Sequence, residues 1–142
     1  MLVRLLYASR AAQPITTDLM ESILTQSRAR NPELGVTGIL CYSGDTFMQV
    51  LEGGRRQVSN LYSAIVRDPR HVDVQLLHFE EVAERRFSNW TMGQVNLAKV
   101  NPSTLLRYSE KPVLDPFSVG GSVSMALLDE LIATAAIVGR SG

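Results

Sequence analysis

The stretch 44-GDTFMQVLEGG-54 decides the fold. Residues 46–52 read as a β-strand, entered from a Gly44-Asp45 turn and left through two glycines. Alternation puts Phe47, Gln49 and Leu51 on one face of that strand. An amide that donates two hydrogen bonds and accepts two is an unusual filler between apolar residues, and leaving it unpaired costs about 1–3 kcal/mol. Gln49 therefore needs partners, and the rest of the chain must supply them.

Outward from this strand, "VTGILCYS" (36–43) pairs with it as a hairpin across Gly44-Asp45. "LVRLLYA" (2–8) is a first strand. A helix starts near Thr17, where Thr17 or Asp18 can cap and Asp18 with Glu21 has capping-box spacing. Leu19, Ile23 and Gln26/Ser27 line one face, with Met20 and Leu24 beside them, and Asn31-Pro32 is expected to end it, Asn31 acting as C-cap. Val58, Leu61, Tyr62, Ile65 and Val66 recur with helical period, and Asp68-Pro69 stops that second helix. Residues 72–79 and 90–97 read as fourth and fifth strands. The order βαββαβ plus one strand predicts an α+β, ferredoxin-like split βαβ fold with both helices on one sheet face.

In the 4-1-3-2 strand order of that layout, the first and third strands are adjacent and central. With aligned register, Tyr7 and Gln49 point the same way beneath the two helices. They can satisfy each other, but the amide keeps groups to spare, which a planar polar ligand between the helices would use. Plainer roles stand beside this one: Gln49 as a structural amide, Arg70-His71 as a solvated turn, Trp90 and Met92 as core.

The 142 residues suit one domain, and 14 acidic against 14 basic residues leave no field to hold nucleic acid or an anionic membrane. One cysteine, Cys41, excludes an internal disulfide framework and fits a reducing, cytoplasmic setting; it reads as core rather than nucleophile. No signal peptide is evident, and the longest apolar region, 123–138, is broken by Asp129-Glu130 and too short to span a bilayer. Residues 98–142 read as an extension on a 1–97 core: a short helix at 102–109, a loop with Pro112, Pro116 and Gly120-Gly121, and a last helix over 122–138. That helix is apolar nearly all round, which predicts cover on two sides, the sheet's second face and a partner subunit.

Taken together, "LLYASR" (Tyr7), "SRARNPELGVTGILCYS" (Ser27, Asn31), "FMQVLEG" (Gln49), "IVRDPRH" (Ile65, Asp68, Arg70, His71) and "FSNWTMG" (Trp90, Met92) resemble the BLUF family of flavin-binding blue-light sensors. The resemblance covers residues 2–97 and implies a noncovalent FAD between the two helices, with FMN or riboflavin as alternatives. It implies that Gln49 bridges the ring's N5/O4 edge and the Tyr7 hydroxyl, that Asn31 bonds the O4/N3 edge, and that Asp68, Arg70 and His71 belong to the flavin site, the last two near O2. Ile23 and Ile65 would sandwich the ring, and Ser27 would lie near Trp90 or Gln49. Trp90 and Met92 would pack near the amide, and the resemblance leaves open which of them faces inward in the dark. It further implies a Tyr7 electron and proton donor, a rearranging Gln49, and output through a separate protein or a homo-oligomer built on the C-terminal helices. The rivals are a small flavin reductase and a BLUF-like interaction domain without photochemistry. Against an enzyme, His71 and His78 form no metal-ligand cluster, and no Ser/His/Asp set or phosphate-cradling loop appears.

Overall fold

The computed structural model describes residues 1–134 and 136–139. Among them, strands β1 (Leu2–Ala11), β2 (Thr37–Ser43), β3 (Thr46–Gly54), β4 (His71–Val82) and β5 (Gly93–Asn96) form one sheet in the order β4-β1-β3-β2-β5. The first four pair antiparallel in the expected 4-1-3-2 arrangement, and β5 adds parallel to β2. Helices α1 (Thr17–Leu34) and α2 (Arg55–Arg67) cover one face, and α3 (Pro102–Leu106) and α4 (Gly121–Ala133) lie with the other.

Local chemistry sets each boundary. The β2–β3 hairpin closes on Ser43↔Thr46, so Gly44-Asp45 is a two-residue turn, and Gly44 supplies its φ of 58°. The N-cap of α1 is Thr16, one residue before the expected cap, its hydroxyl accepting the Leu19 N–H at 3.1 Å. The helix also runs past Asn31-Pro32. Gly35, left-handed at φ 68°, caps it by donating to the Asn31 and Pro32 carbonyls. Pro32 thus sits in the last turn, and Asn31 is not a C-cap but a fully buried helix residue. The end of α2 at Asp68 falls where expected, in extended backbone before Pro69. Val66, expected on its inward face, is exposed, because Val58 and Leu61 alone take the buried stripe.

The sheet separates two cores. Val3, Leu5, Tyr7, Leu40, Phe47 and Leu51 meet Met20 and Leu24 of α1 and Val58 and Leu61 of α2. On the reverse, Leu6, Ile39, Met48 and Val50 meet Met125, Leu127, Leu128 and Leu131 of α4. Leu105 of α3 and Leu114 of the following loop join that second core. No large apolar residue of α4 is fully exposed; Val123, Ala126 and Ile132 are part-buried on its outer side.

Two further boundaries differ from the sequence reading. The fifth strand begins at Gly93 rather than residue 90, after an irregular segment over 83–92. The last helix ends at Ala133 rather than 138; the Thr134 hydroxyl turns back on the Glu130 carbonyl, a bond that competes with the helical ladder. Residue 135 of the expected span lies outside the described residues. Beyond it, Val138 exchanges two backbone hydrogen bonds with Gln94 along the outer edge of β5.

Candidate functional site

Tyr7 and Gln49 are direct partners in the β1–β3 ladder, and both side chains are buried beneath α1 and α2. The Tyr7 hydroxyl donates to Gln49 Oε1 at 2.5 Å, and Gln49 Nε2 donates to Met92 Sδ at 3.2 Å. The amide is therefore oriented from both ends: its oxygen accepts the phenol O–H and its nitrogen faces the thioether. Burial above all, with Tyr62 and Asp68 nearby, pushes the Tyr7 phenol far above its ordinary range, so it stays protonated and donating.

Above this pair, between α1 and α2, lies a cavity of about 160 Å³. Ile23 of α1 and Ile65 of α2 form apolar walls, and Tyr7, Gln49, Leu40 and Phe47 lie on the sheet side. Ser27, Asp68, Arg70 and His71 also line it, so eight of the residues singled out in the sequence gather around one space. His71 is fixed by two bonds: Nε2 donates to the Ile65 carbonyl at 2.6 Å, and Nδ1 meets the Ser9 hydroxyl at 2.7 Å. Arg70 forks onto Asp68, with Nε to Oδ2 at 2.9 Å and Nη2 to Oδ2 at 2.6 Å, and reaches Gln26 Oε1 at 2.9 Å. Those Arg70 hydrogen bonds hold the Asp68 carboxyl below its usual range.

Asn31, Met92 and Trp90 do not line the cavity. Asn31 stands behind its wall, donating from Nδ2 to the Thr91 carbonyl at 3.0 Å. The neighbouring carbonyls are held too. Gly38 N–H takes that of Trp90 at 2.9 Å, and the Arg28 guanidinium takes that of Met92 at 3.1 and 3.2 Å. Residues 90–92 are thus fixed at three consecutive carbonyls, two of them from α1. Met92 belongs to the helix-side core with Tyr7, and Trp90 to the opposite core against α4.

Sequence reasoning missed Arg30 and Ser9, and placed Gln26 on the helix face without assigning it to the site. Arg30 lines the cavity half-buried, and burial first, then Arg70, lowers its pKa. It makes no ion pair among the described residues. Its one sequence signal is its place beside Asn31 in "SRARN". A flat ring with polar edges fits what is present: Ile23 and Ile65 from the two helices, the Gln49 amide on the sheet side, and the Arg30 and Arg70 guanidinium groups in the lining. No cluster of three or more His, Cys, Asp or Glu side chains suited to a metal occurs among the described residues, and Cys41 is buried with its thiol pushed up to about 12 by burial.

Comparison with known proteins bears on what that space holds. Residues 2–93 match a family profile described as sensors of blue-light using FAD. The chain is 37% identical over 92 residues to the photoactivated adenylate cyclase subunit beta of Euglena longa, covering 64% of this chain and 11% of that protein. It is 37% identical over 97 residues to the blue light- and temperature-regulated antirepressor BluF of Escherichia coli (strain K12), covering 68% of this chain and 24% of that protein. The chain thus spans a small part of these curated relatives. Among solved structures, BlsA in its photo-activated state superposes with a TM-score of 0.83 at 29% identity, covering 100% of this chain and 99% of that one. The dark-state BlrB superposes with a TM-score of 0.78 at 34% identity, covering 94% and 96%.

Proposed function

The chain belongs to the BLUF family of blue-light sensors using FAD, and from that membership we propose that it is a photoreceptor switched by the hydrogen bonds of Gln49. The observation that carries this reading is the Tyr7–Gln49–Met92 relay on the sheet side of the cavity between α1 and α2. A BLUF domain senses light and is not itself a catalyst. FAD, when bound, supplies blue absorption and a strong excited-state oxidant.

Ile23 and Ile65 clamp the ring from both helices, and Gln49 presents an N–H to its edge. Ser27, Asp68, Arg70 and His71 complete the pocket, with Asn31 behind its wall on α1, holding the Thr91 carbonyl. Tyr7 would be the electron donor to a bound, excited flavin, its proton moving along the bond to Gln49 Oε1 and both returning when the charges recombine. The amide then settles in a second arrangement, rotated, tautomerised or both. An amide suits this because exchanging its ends exchanges donor for acceptor, which gives two discrete networks of similar energy. A rotated Gln49 would set its oxygen against Met92 Sδ, so Met92 registers the change directly.

Output passes to a separate protein or through assembly of copies, with residues 98–142 as the transmitting extension of the 1–97 core. No helix among the described residues is long and apolar enough to cross a membrane, and a free, buried Cys41 agrees with the reducing cytoplasm. The deciding experiment is an absorption spectrum of the purified protein before and after blue illumination. A reversible red shift of bound flavin is expected. Colourless protein, or a flavin spectrum that light leaves unchanged, would overturn the reading.

A further inference from the structure

Glu52, three residues after Gln49 in β3, is a fully buried carboxylate to which the photochemistry assigns nothing. It faces the α4 side of the sheet by alternation. Its Oε2 accepts Arg4 Nε at 2.8 Å and the backbone N–H of Arg86 at 2.9 Å, and its Oε1 accepts the backbone N–H of Phe87 at 2.7 Å. Arg4, its rung partner in β1, is 3% exposed and also bonds Glu80 at 2.5 Å, near the end of β4. One buried pair therefore holds both the strand that enters the 83–92 segment and the middle of that segment. Arg86 then reaches out to α4, its Nη1 meeting the two Asp129 oxygens at 2.9 and 3.0 Å.

A buried ion pair is poor evidence of stabilisation, because well-packed apolar residues serve as well or better. A carboxylate nevertheless does one thing no apolar residue does here: its two oxygens take two consecutive N–H groups and a guanidinium at once. Those N–H groups begin the run 86–92, whose far end is the thioether bonded to Gln49. Between the two fixed ends, Ser88 and Asn89 are exposed.

We propose that Glu52 is a positioning residue of the light response: with Arg4 it anchors the backbone at 86–87, so that a change at Gln49 and Met92 works against a fixed point and passes through Arg86 to Asp129 on α4. The proposal rests on the light-sensor reading above.

The test is Glu52→Gln in the full flavin-loaded chain. It keeps the size, but neither amide orientation serves both backbone N–H groups, since one always meets the NH₂. The variant is expected to bind flavin and shift red as the parent does. Its return to the dark state should change by about tenfold or more, the scale of lost buried charge-assisted hydrogen bonds. The light-induced difference in deuterium exchange over 121–133 should disappear. Glu52→Asp, which keeps both oxygens, should recover part of each effect, and Asp129→Asn should lose the α4 exchange difference while returning at the parental rate. A merely structural role would lower the melting temperature without moving these readouts; Leu105→Ala, in the same core, is the control for that. Should Glu52→Gln not fold, the doubly apolar Arg4→Met/Glu52→Leu is measured instead. A recovery within about twofold of the parent, less than one lost hydrogen bond brings, with the α4 difference intact, overturns the proposal. A parent without a red shift overturns the light-sensor reading itself.

Discussion

Trp90 and Met92, two positions apart in the chain, lie on opposite sides of the sheet. Met92 is fully buried with Tyr7 and Gln49 under α1 and α2, while Trp90 packs with Ile39 and Ile137 in the core under α4. Residues i and i+2 of a regular strand share a face, so 90–92 cannot be strand. The three carbonyl bonds from Gly38, Asn31 and Arg28 hold the departure from strand geometry in place. The two side chains consequently touch different halves of the molecule, one the proposed photosite and one the C-terminal extension.

That division separates their substitutions. The Trp90 indole N–H has no hydrogen-bond partner among the described residues, so Trp90→Phe removes packing and no bond. Its red shift should match the parent's. Met92→Leu keeps a similar volume but deletes the acceptor for Gln49 Nε2, which should change the lifetime of the lit state by about threefold to tenfold, the range of one modest hydrogen bond. Flash spectroscopy of both variants checks this, and a reversed ranking would count against the relay.

Tyr7→Phe deletes the donor to Gln49 Oε1 while leaving the ring that packs on Tyr62 at 5.7 Å between centroids. Flavin should remain bound and the light-induced red shift should vanish. A retained photocycle would remove Tyr7 as the electron and proton source.

Gln49→Leu removes both ends of the relay. The buried Tyr7 hydroxyl loses its partner, which should cost about 1–3 kcal/mol of stability by denaturant unfolding. Leucine also has no second bonding arrangement, so the variant should hold flavin without a red-shifted state. A red shift in Gln49→Leu would show that the signal arises elsewhere.

Much of this arrangement was legible beforehand because it rests on short-range rules. The two-residue turn at Gly44-Asp45 fixed the hairpin, and alternation in β1 and β3 put Tyr7 and Gln49 on one face, where the observed register makes them rung partners. The period of α1 brought Ile23 and Ser27 inward. What sequence could not supply were tertiary overrides. Pro32 reads as a stop, yet Gly35 supplies the cap, so Asn31 becomes an inward residue holding Thr91. "WTMGQVNL" alternates like a strand, yet bonds from α1 and β2 bend its first three residues out of the ladder. Glu52 is only the last residue of the strand read over 46–52, and the fold alone brings the N–H groups of 86–87 onto it.

The raised pKa of Tyr7 predicts a pH window. Burial is the main cause, so the folded protein keeps the phenol protonated where the unfolded chain ionises it, near pH 10. A group raised in the folded state contributes stability that is complete below the unfolded pKa and lost as pH climbs past it. The stability difference between parent and Tyr7→Phe should therefore be flat from about pH 7 to 9 and shift against the parent above about pH 10. Denaturant midpoints across that range are the measurement, and a difference that stays constant through the alkaline limb would mean Tyr7 ionises as it does in water.

Arg30 makes the last prediction, about which flavin is held. The neighbouring Arg70 is neutralised by its fork onto Asp68, whereas Arg30 lines the same cavity with no ion pair among the described residues. Burial and Arg70 together lower its pKa, so its charge is carried at a cost that an anion at the cavity's end would offset. FAD and FMN carry such an anion in their phosphate, and riboflavin carries none. Arg30→Gln should weaken FAD and FMN by about tenfold, the scale of one charge-assisted hydrogen bond, while leaving riboflavin affinity nearly unchanged. Added salt should weaken FAD binding in the parent more than in the variant, because screening acts on the charge that the variant lacks. Fluorescence titration of the three flavins against both apoproteins measures this. Equal losses for all three flavins would place Arg30 in the architecture of the ring pocket rather than at a phosphate.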